Sequence, residues 1–154
     1  MIEPLLGPRE VLERYHAAMI RKSADDLADL YAADAVHDFP FVAPFRLHRY
    51  HGSEEVRAGY REAWETSPVR VDAIRNVVIH ETADPEVIVA EQEAVATETT
   101  SGKPFTLAFL LVMRVRGGKI VHLRDYSDAL GSAIALNRLP QLVERVSTQT
   151  RRAD

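Results

Sequence analysis

Asp125 is the residue of this sequence best placed to do chemistry. It belongs to Gly117-Gly118-Lys119-Ile120-Val121-His122-Leu123-Arg124-Asp125-Tyr126, a Gly-Gly turn feeding an extended run. Strands point alternate residues to opposite faces. That alternation predicts Val121, Leu123, Asp125 and Ser127 on one face and Ile120, His122, Arg124 and Tyr126 on the other. A carboxylate in line with two aliphatic residues either has a specific partner or has its pKa raised by desolvation. Either condition suits an acid/base group. The plainer alternative is a strand-end Asp that drops to the surface or accepts bonds from backbone N–H groups.

His37 is the second candidate, because an imidazole titrates near neutrality and can carry a proton. It sits in Ala35 to Phe41, a short predicted strand that Pro40 confines to an edge or an end. The alternative is a polar strand residue without chemistry. His48-x-x-His51, close in sequence to His37-Asp38, raises the question of a zinc or iron site with three protein ligands. The pair falls in an apparent loop from Val42 to His51, with Pro44, Arg46 and Arg49, and no supporting partner is evident. The Arg46 to His51 run could instead greet an anionic substrate, and a solvated loop is the plainer account, so no metal and no cofactor is expected.

The totals narrow the class. A chain of 154 residues fits one domain with one core. The net charge of −4 offers no global attraction to a phosphate backbone, which argues against nucleic acid as a partner. The absence of Cys removes disulfides, thiol nucleophiles and thiolate metal sites, and suits the cytoplasm. Met1 to Leu6 is too short and mixed for a signal peptide, and no apolar run approaches the ~20 residues of a membrane span. The expectation is a soluble cytoplasmic domain over 1–154, with its core at about 8–136 and a frayed tail at 147–154.

The elements that must position these residues are legible in order. Pro8 to Lys22 predicts a first helix with Val11, Leu12, Tyr15, Ala18 and Met19 as its buried stripe. Ser23 is placed to cap a second helix whose apolar side is Leu27, Leu30 and Tyr31. Ser53 is the expected cap of a third helix, lined by Val56, Tyr60, Ala63 and Trp64. Val69 to Glu81, Val87 to Thr99, Phe105 to Arg116 and Lys119 to Ser127 follow as strands. Ala83-Asp84-Pro85, Ser101-Gly102-Lys103 and Gly117-Gly118 are the turns, which predicts an antiparallel meander. Thr106 to Val115 is apolar on both faces, so one face should meet the helices and the other a second subunit. Ala129 to Leu139 and Pro140 to Val146 predict two further short helices. A curved sheet wrapped on helices forms an α+β cone with a hollow.

Several strings then resemble the SnoaL-like and ketosteroid isomerase-like group of the nuclear transport factor 2-like fold. Arg14-Tyr15, Leu30-Tyr31-Ala32-Ala33-Asp34-Ala35, Gly52-Ser53-Glu54-Glu55-Val56 and Val112-Met113-Arg114 are similar to ketosteroid isomerases. Gly118-Lys119-Ile120 followed by His122-Leu123-Arg124-Asp125-Tyr126-Ser127-Asp128 is similar to SnoaL-type polyketide cyclases, and Phe39-Pro40-Phe41 to many SnoaL-like proteins. The resemblance spans roughly Pro8 to Leu136 and implies a cystatin-like cone, three N-terminal helices packed on a strongly curved antiparallel sheet enclosing a pocket.

Carried over by residue, the resemblance puts Tyr15 where the isomerases have a tyrosine that donates to the developing oxyanion. Their general base falls near Phe39, with Asp38 one place away on the opposite strand face, and their protonated second acid falls at Leu111. Two of the three groups that steroid isomerisation needs are missing, which argues against that reaction. Asp125 falls on the acid/base residue of the cyclases.

The function expected is proton transfer next to a carbonyl, as in an isomerase, cyclase or dehydratase, with Asp125, Tyr15 and His37 as the catalytic set. Phe39, Tyr60, Trp64, Phe109 and Leu111 would bind a small apolar or aromatic ligand. The rival is a non-catalytic ligand-binding or dimerisation module of the same fold, in which Tyr15 is a core residue of its helix stripe. A homodimer through the outer sheet face is expected in either case.

Overall fold

The computed structural model describes residues 4–41 and 47–152, with side chains to residue 148. Helix α1 (Pro8–Arg21) starts with Pro8 in its first turn, where a missing N–H costs nothing, and ends on Lys22 in the left-handed conformation. Val11, Leu12, Tyr15 and Ala18 form its buried stripe, with Met19 half-buried beside them. Ser23 accepts a bond from the Asp26 N–H and caps α2 (Ala24–Ala28).

Strand β1 (Tyr31–Asp38) follows at once, so Tyr31, expected on the second helix, is instead the first strand residue. Part of the expected loop before His51 is also a strand, β2 (Arg49–His51), paired antiparallel with β1. A three-residue strand has too little pattern of its own to be read without its partner. Helix α3 (Gly52–Thr66) is capped by His51 rather than Ser53, and the Glu55 carboxylate accepts from the His51 N–H at 2.7 Å. Gly52 is required at this corner: φ is +80°, and a Cβ would stand 2.6 Å from the Ala33 carbonyl oxygen.

The meander is β3 (Val69–Glu81), β4 (Val87–Glu98), β5 (Lys103–Arg116) and β6 (Lys119–Ser127). The sheet order is β2-β1-β6-β5-β4-β3, and every neighbouring pair is antiparallel except β1 and β6, which run parallel. Helix α1 lies across β3, β4 and β5, while α3 packs on β1, β2 and α2. The core between helices and sheet holds Leu12, Tyr15, Leu27, Leu111, Met113, Ile120 and Leu123.

The alternation expected for β6 fails at one point. Val115 pairs with Ile120 but Arg114 pairs with His122, so Val121 is an extra, bulged residue. Ile120 is therefore fully buried on the same face as Leu123 and Asp125. Two C-terminal helices complete the chain. Helix α4 (Ala129–Ala135) is capped by the Asp128 carboxylate, and α5 (Leu139–Arg152) runs past Val146, where the sequence predicted its end.

Candidate functional site: a buried carboxylate, imidazole and three phenols

The bulge and the register of β6 turn Asp125 inward, opposite Leu111 of β5. It is 7% exposed, on a face otherwise lined by Leu111, Met113 and Leu123. Ser127, two residues on and so on the same face, donates to Asp125 Oδ1 at 2.6 Å. That bond leaves Oδ2 pointing toward His37 Nε2, 3.9 Å away. His37 has no exposed surface. Its ring is packed among Phe39, Tyr60, Tyr31 and Tyr50, with centroids 4.5 to 5.9 Å distant.

His37 Nδ1 is bonded to the Tyr31 hydroxyl at 2.8 Å. The Tyr15 phenol, descending from α1, lies within electrostatic reach of Tyr31, Tyr60 and Asp125. Burial pushes the Tyr15 phenol well above its ordinary pKa, and the neighbouring Tyr60, Tyr31 and Asp125 push it the same way. Burial does the same to Tyr31, with Tyr60 and Asp125 adding to it, while Tyr15 works in the opposite direction. Both phenols are held as neutral hydrogen-bonding groups. A neutral phenol in a dry site donates to a developing oxyanion more strongly than it would in water.

The structure thus brings Asp125, Tyr15, His37 and Tyr60 into one connected group. Phe39 and Leu111 are buried in the wall around it, and Trp64 stacks edge-on against Tyr60 with centroids 4.9 Å apart. Phe109 is half-buried two residue pairs along the ladder, opposite Ser127. Two surface hollows flank the group. One, of about 290 Å³, is lined by Lys22, Ala24, Arg61 and Trp64. The other, of about 400 Å³, is lined by Phe41, Ala108, Tyr126, Ser127, Asp128 and Ala129.

Asp38 faces the other side of the sheet, where Arg49 and His122 bond to its carboxylate, the latter at 2.8 Å. His37 lies on the inner side, and His48 and His51 are exposed. The His48 backbone carbonyl serves β1 by accepting from the Phe39 N–H. Pro44 and Arg46 lie outside the described residues.

Three members of the group were missed in the sequence. Tyr31 was assigned to a helix, Tyr50 to a loop, and Ser127 was only a face-mate of Asp125. An i, i+6 relation between Tyr31 and His37 in one strand was the available signal, and the register shift between Tyr31 and Val36 obscures it.

Comparison with known proteins agrees with this architecture. A SnoaL-like domain model matches residues 12–123. An uncharacterised PhzA/B-like protein of Pseudomonas aeruginosa is 28% identical over 131 residues, covering 85% of this chain and 91% of that one. The structure of a proposed isomerase from Bacillus subtilis superposes with a TM-score of 0.75 at 22% identity, covering 84% of this chain and 92% of the other. A proposed polyketide cyclase from Pseudomonas putida superposes at 0.68 with 17% identity, covering 84% and 98%. At such identities these structures establish the fold alone. The extent of the domain match, together with the shared cone, places the chain in the SnoaL-like family.

Proposed function

We propose that this protein is a cofactor-independent acid/base enzyme that moves a proton at a carbon next to a carbonyl, in an isomerisation, cyclisation or dehydration. One observation carries the reading: the Asp125 carboxylate is buried beside an imidazole that is hydrogen-bonded to Tyr31, with the phenols of Tyr15 and Tyr60 close by. Such a carboxylate is a competent base once substrate excludes the remaining water. The Tyr15 and Tyr60 hydroxyls are the available donors for the oxygen on which negative charge develops. Ser127 fixes the carboxylate plane. The half-buried Phe109 and Trp64 would contact the apolar part of a small organic substrate. The cysteine-free composition fits action in the cytoplasm.

The test is hydrogen–deuterium exchange at the α-carbon of enolisable ketones such as 2-tetralone, followed by proton NMR in heavy water. Wild-type protein is expected to accelerate exchange, and Asp125→Asn to reduce that acceleration by about 10²–10⁴-fold. Equal exchange by the two proteins would remove Asp125 from the role.

A second reading is favoured by how tightly the interior is filled. Tyr15, Leu111, Met113 and Leu123 are each no more than 1% exposed, and the two hollows described lie at the surface. In that reading the fold is a binding or association module. Association itself is part of both readings: we infer a homodimer through the outer sheet face, where Val89, Leu110, Val112 and Tyr126 are only half-buried.

A further inference from the structure

Besides the phenols, the buried polar residues among those described are His37, Asp125 and Gln92, and only Gln92 stands outside the group above. It is 3% exposed, in the middle of β4, on the face that also carries Ile88 and Ala90. An aliphatic side chain would suit that face. The Gln92 carboxamide is instead half satisfied. Its Oε1 is 2.5 Å from His16 Nε2 of α1, and its own Nε2 has no hydrogen-bond partner among the described residues. An amide oxygen only accepts, so the His16 ring donates, and the bond holds the carboxamide with its NH₂ turned away from His16. A buried donor without a partner is costly and rare in native structures, and its retention calls for a use.

The ladder shows what lies beside it. Gln92 pairs with Phe109 of β5, and Phe109 pairs with Ser127 of β6. Two residues along, the inward row is Ala90, Leu111 and Asp125. On regular sheet spacings the Cα atoms of Gln92 and Asp125 are about 12 Å apart, with Phe109 between their strands. Ala90 and Leu111 are buried, whereas Phe109, Ala94 and Leu107 on the same face are half-buried. Gln92 therefore stands where the sealed floor of the cone begins to open. A ligand lying over Phe109 would have the carboxylate at one end and the unpaired amide at the other.

The charges nearby select the kind of group. Burial lowers the His16 pKa, which leaves the ring uncharged at neutral pH, and Glu13 stands one turn earlier on α1. With Asp125 on the same floor, negative charge on both sides opposes a second anion.

We propose that Gln92, oriented by His16, is a substrate-binding residue that donates its unpaired amide N–H to a neutral oxygen, so that the substrate is a diketone, keto ether or keto ester whose second oxygen is remote from the ketone that Asp125 acts on. The proposal rests on the acid/base reading above for the reacting end and names the substrate class of that site. His16 is a positioning residue, since it acts on the ligand only through Gln92.

Two ketones that differ in one oxygen test it. In 4-(4-methoxyphenyl)cyclohexanone an ether oxygen lies at the opposite end from the carbonyl, and 4-phenylcyclohexanone lacks that oxygen. Dissociation constants are read from the fluorescence of Trp64, the one tryptophan of the chain, which packs against Tyr60. Wild-type protein should bind the methoxy ketone about 5–20-fold more tightly than the phenyl ketone. Gln92→Met or Gln92→Leu should abolish that preference while keeping the affinity for the phenyl ketone. His16→Phe should reduce the preference in part, because the amide can then turn. A mere tie between α1 and β4 would weaken both ligands alike in these variants and leave their ratio unchanged. In nitrogen-15-labelled wild type, the Gln92 side-chain amide resonance should shift with the methoxy ketone and stay in place with the phenyl ketone. That reading needs only the wild type, so it decides even where a variant does not fold. Equal affinities in the wild type, an unchanged ratio in the Gln92 variants, a silent amide resonance, or no binding of either ketone overturns the proposal. Preference without ketone exchange would refute the enzyme and leave Gln92 as a ligand contact, and exchange without preference would do the reverse.

Discussion

His37 and Asp38 are consecutive in the chain and serve opposite sides of one sheet. His37 is sealed against Phe39, Tyr50 and Tyr60, while Asp38 is bonded outside to Arg49 and His122. The two ionisable groups therefore have separate tasks, one in the interior network and one tying β1 to β2 and β6.

The outer task is measurable as stability. Partial burial pushes the Asp38 carboxyl upward, but the bonds from Arg49 and His122 outweigh it and leave its pKa below the ordinary value. A carboxyl depressed in the folded state contributes stability that is present above its unfolded pKa, about 4, and is lost as pH falls through the folded value. Asp38→Asn should cost about 1 kcal/mol in urea titrations at neutral pH and less in acid. A cost that is the same at about pH 7 and pH 3 would count against the ion-paired account.

His16 gives the opposite end of the pH scale. Burial lowers its pKa below 6.5, with the bond to Gln92 and the nearby Glu13 acting against that shift. The unfolded chain therefore takes up a proton more readily, and stability should rise with pH between the lowered value and about 6.5. Denaturation midpoints for wild type and His16→Gln should converge at the low end of that window. Parallel curves would show that His16 titrates as it does in the unfolded chain.

Gly59 allows Tyr50 to sit against the helix. A Cβ there would lie 2.5 to 2.6 Å from Cζ, Cε1 and the hydroxyl oxygen of Tyr50. Gly59→Ala should cost about 1–3 kcal/mol through overpacking, despite its better helix propensity. Tyr50→Leu in the same chain should recover part of the loss. A neutral or stabilising Gly59→Ala, read by thermal unfolding, would mean that Tyr50 moves freely.

The outer face predicts self-association. Val112→Arg places a charge in the middle of the half-buried strip beside Leu110 and Val89. Sedimentation at micromolar concentration should show a wild-type dimer and a monomeric variant. A wild-type monomer would leave this face as ordinary surface.

The long strands were legible because each carries its own signal. Runs rich in β-branched residues end in Gly or Pro turns, and β3 and β6 appear with the bounds expected from sequence, Val69–Glu81 and Lys119–Ser127. The inward direction of Asp125 could be read because alternation holds from His122 onward. What could not be read depends on partners distant in sequence. Strand β2 exists only as a pairing with β1, and Tyr31 becomes a strand residue through its alignment with Ile120. The phenol cluster draws on α1, β1 and α3 at once, and no local pattern announces that these three side chains converge.

The single extra residue at Val121 also sets the parity of the last ribbon. Between the glycine corner and the carboxylate, the chain changes sides one time fewer than a regular ladder would require. Removing that residue would give a regular ladder in which His122, Leu123 and Asp125 keep their partners Arg114, Met113 and Leu111. Removing or adding a residue between Leu123 and Asp125, where no bulge absorbs the change, would instead exchange the inward set for the outward one. Within one architecture, the place of a one-residue length change thus decides whether a descendant keeps its acid or loses it, with no substitution of the acid itself.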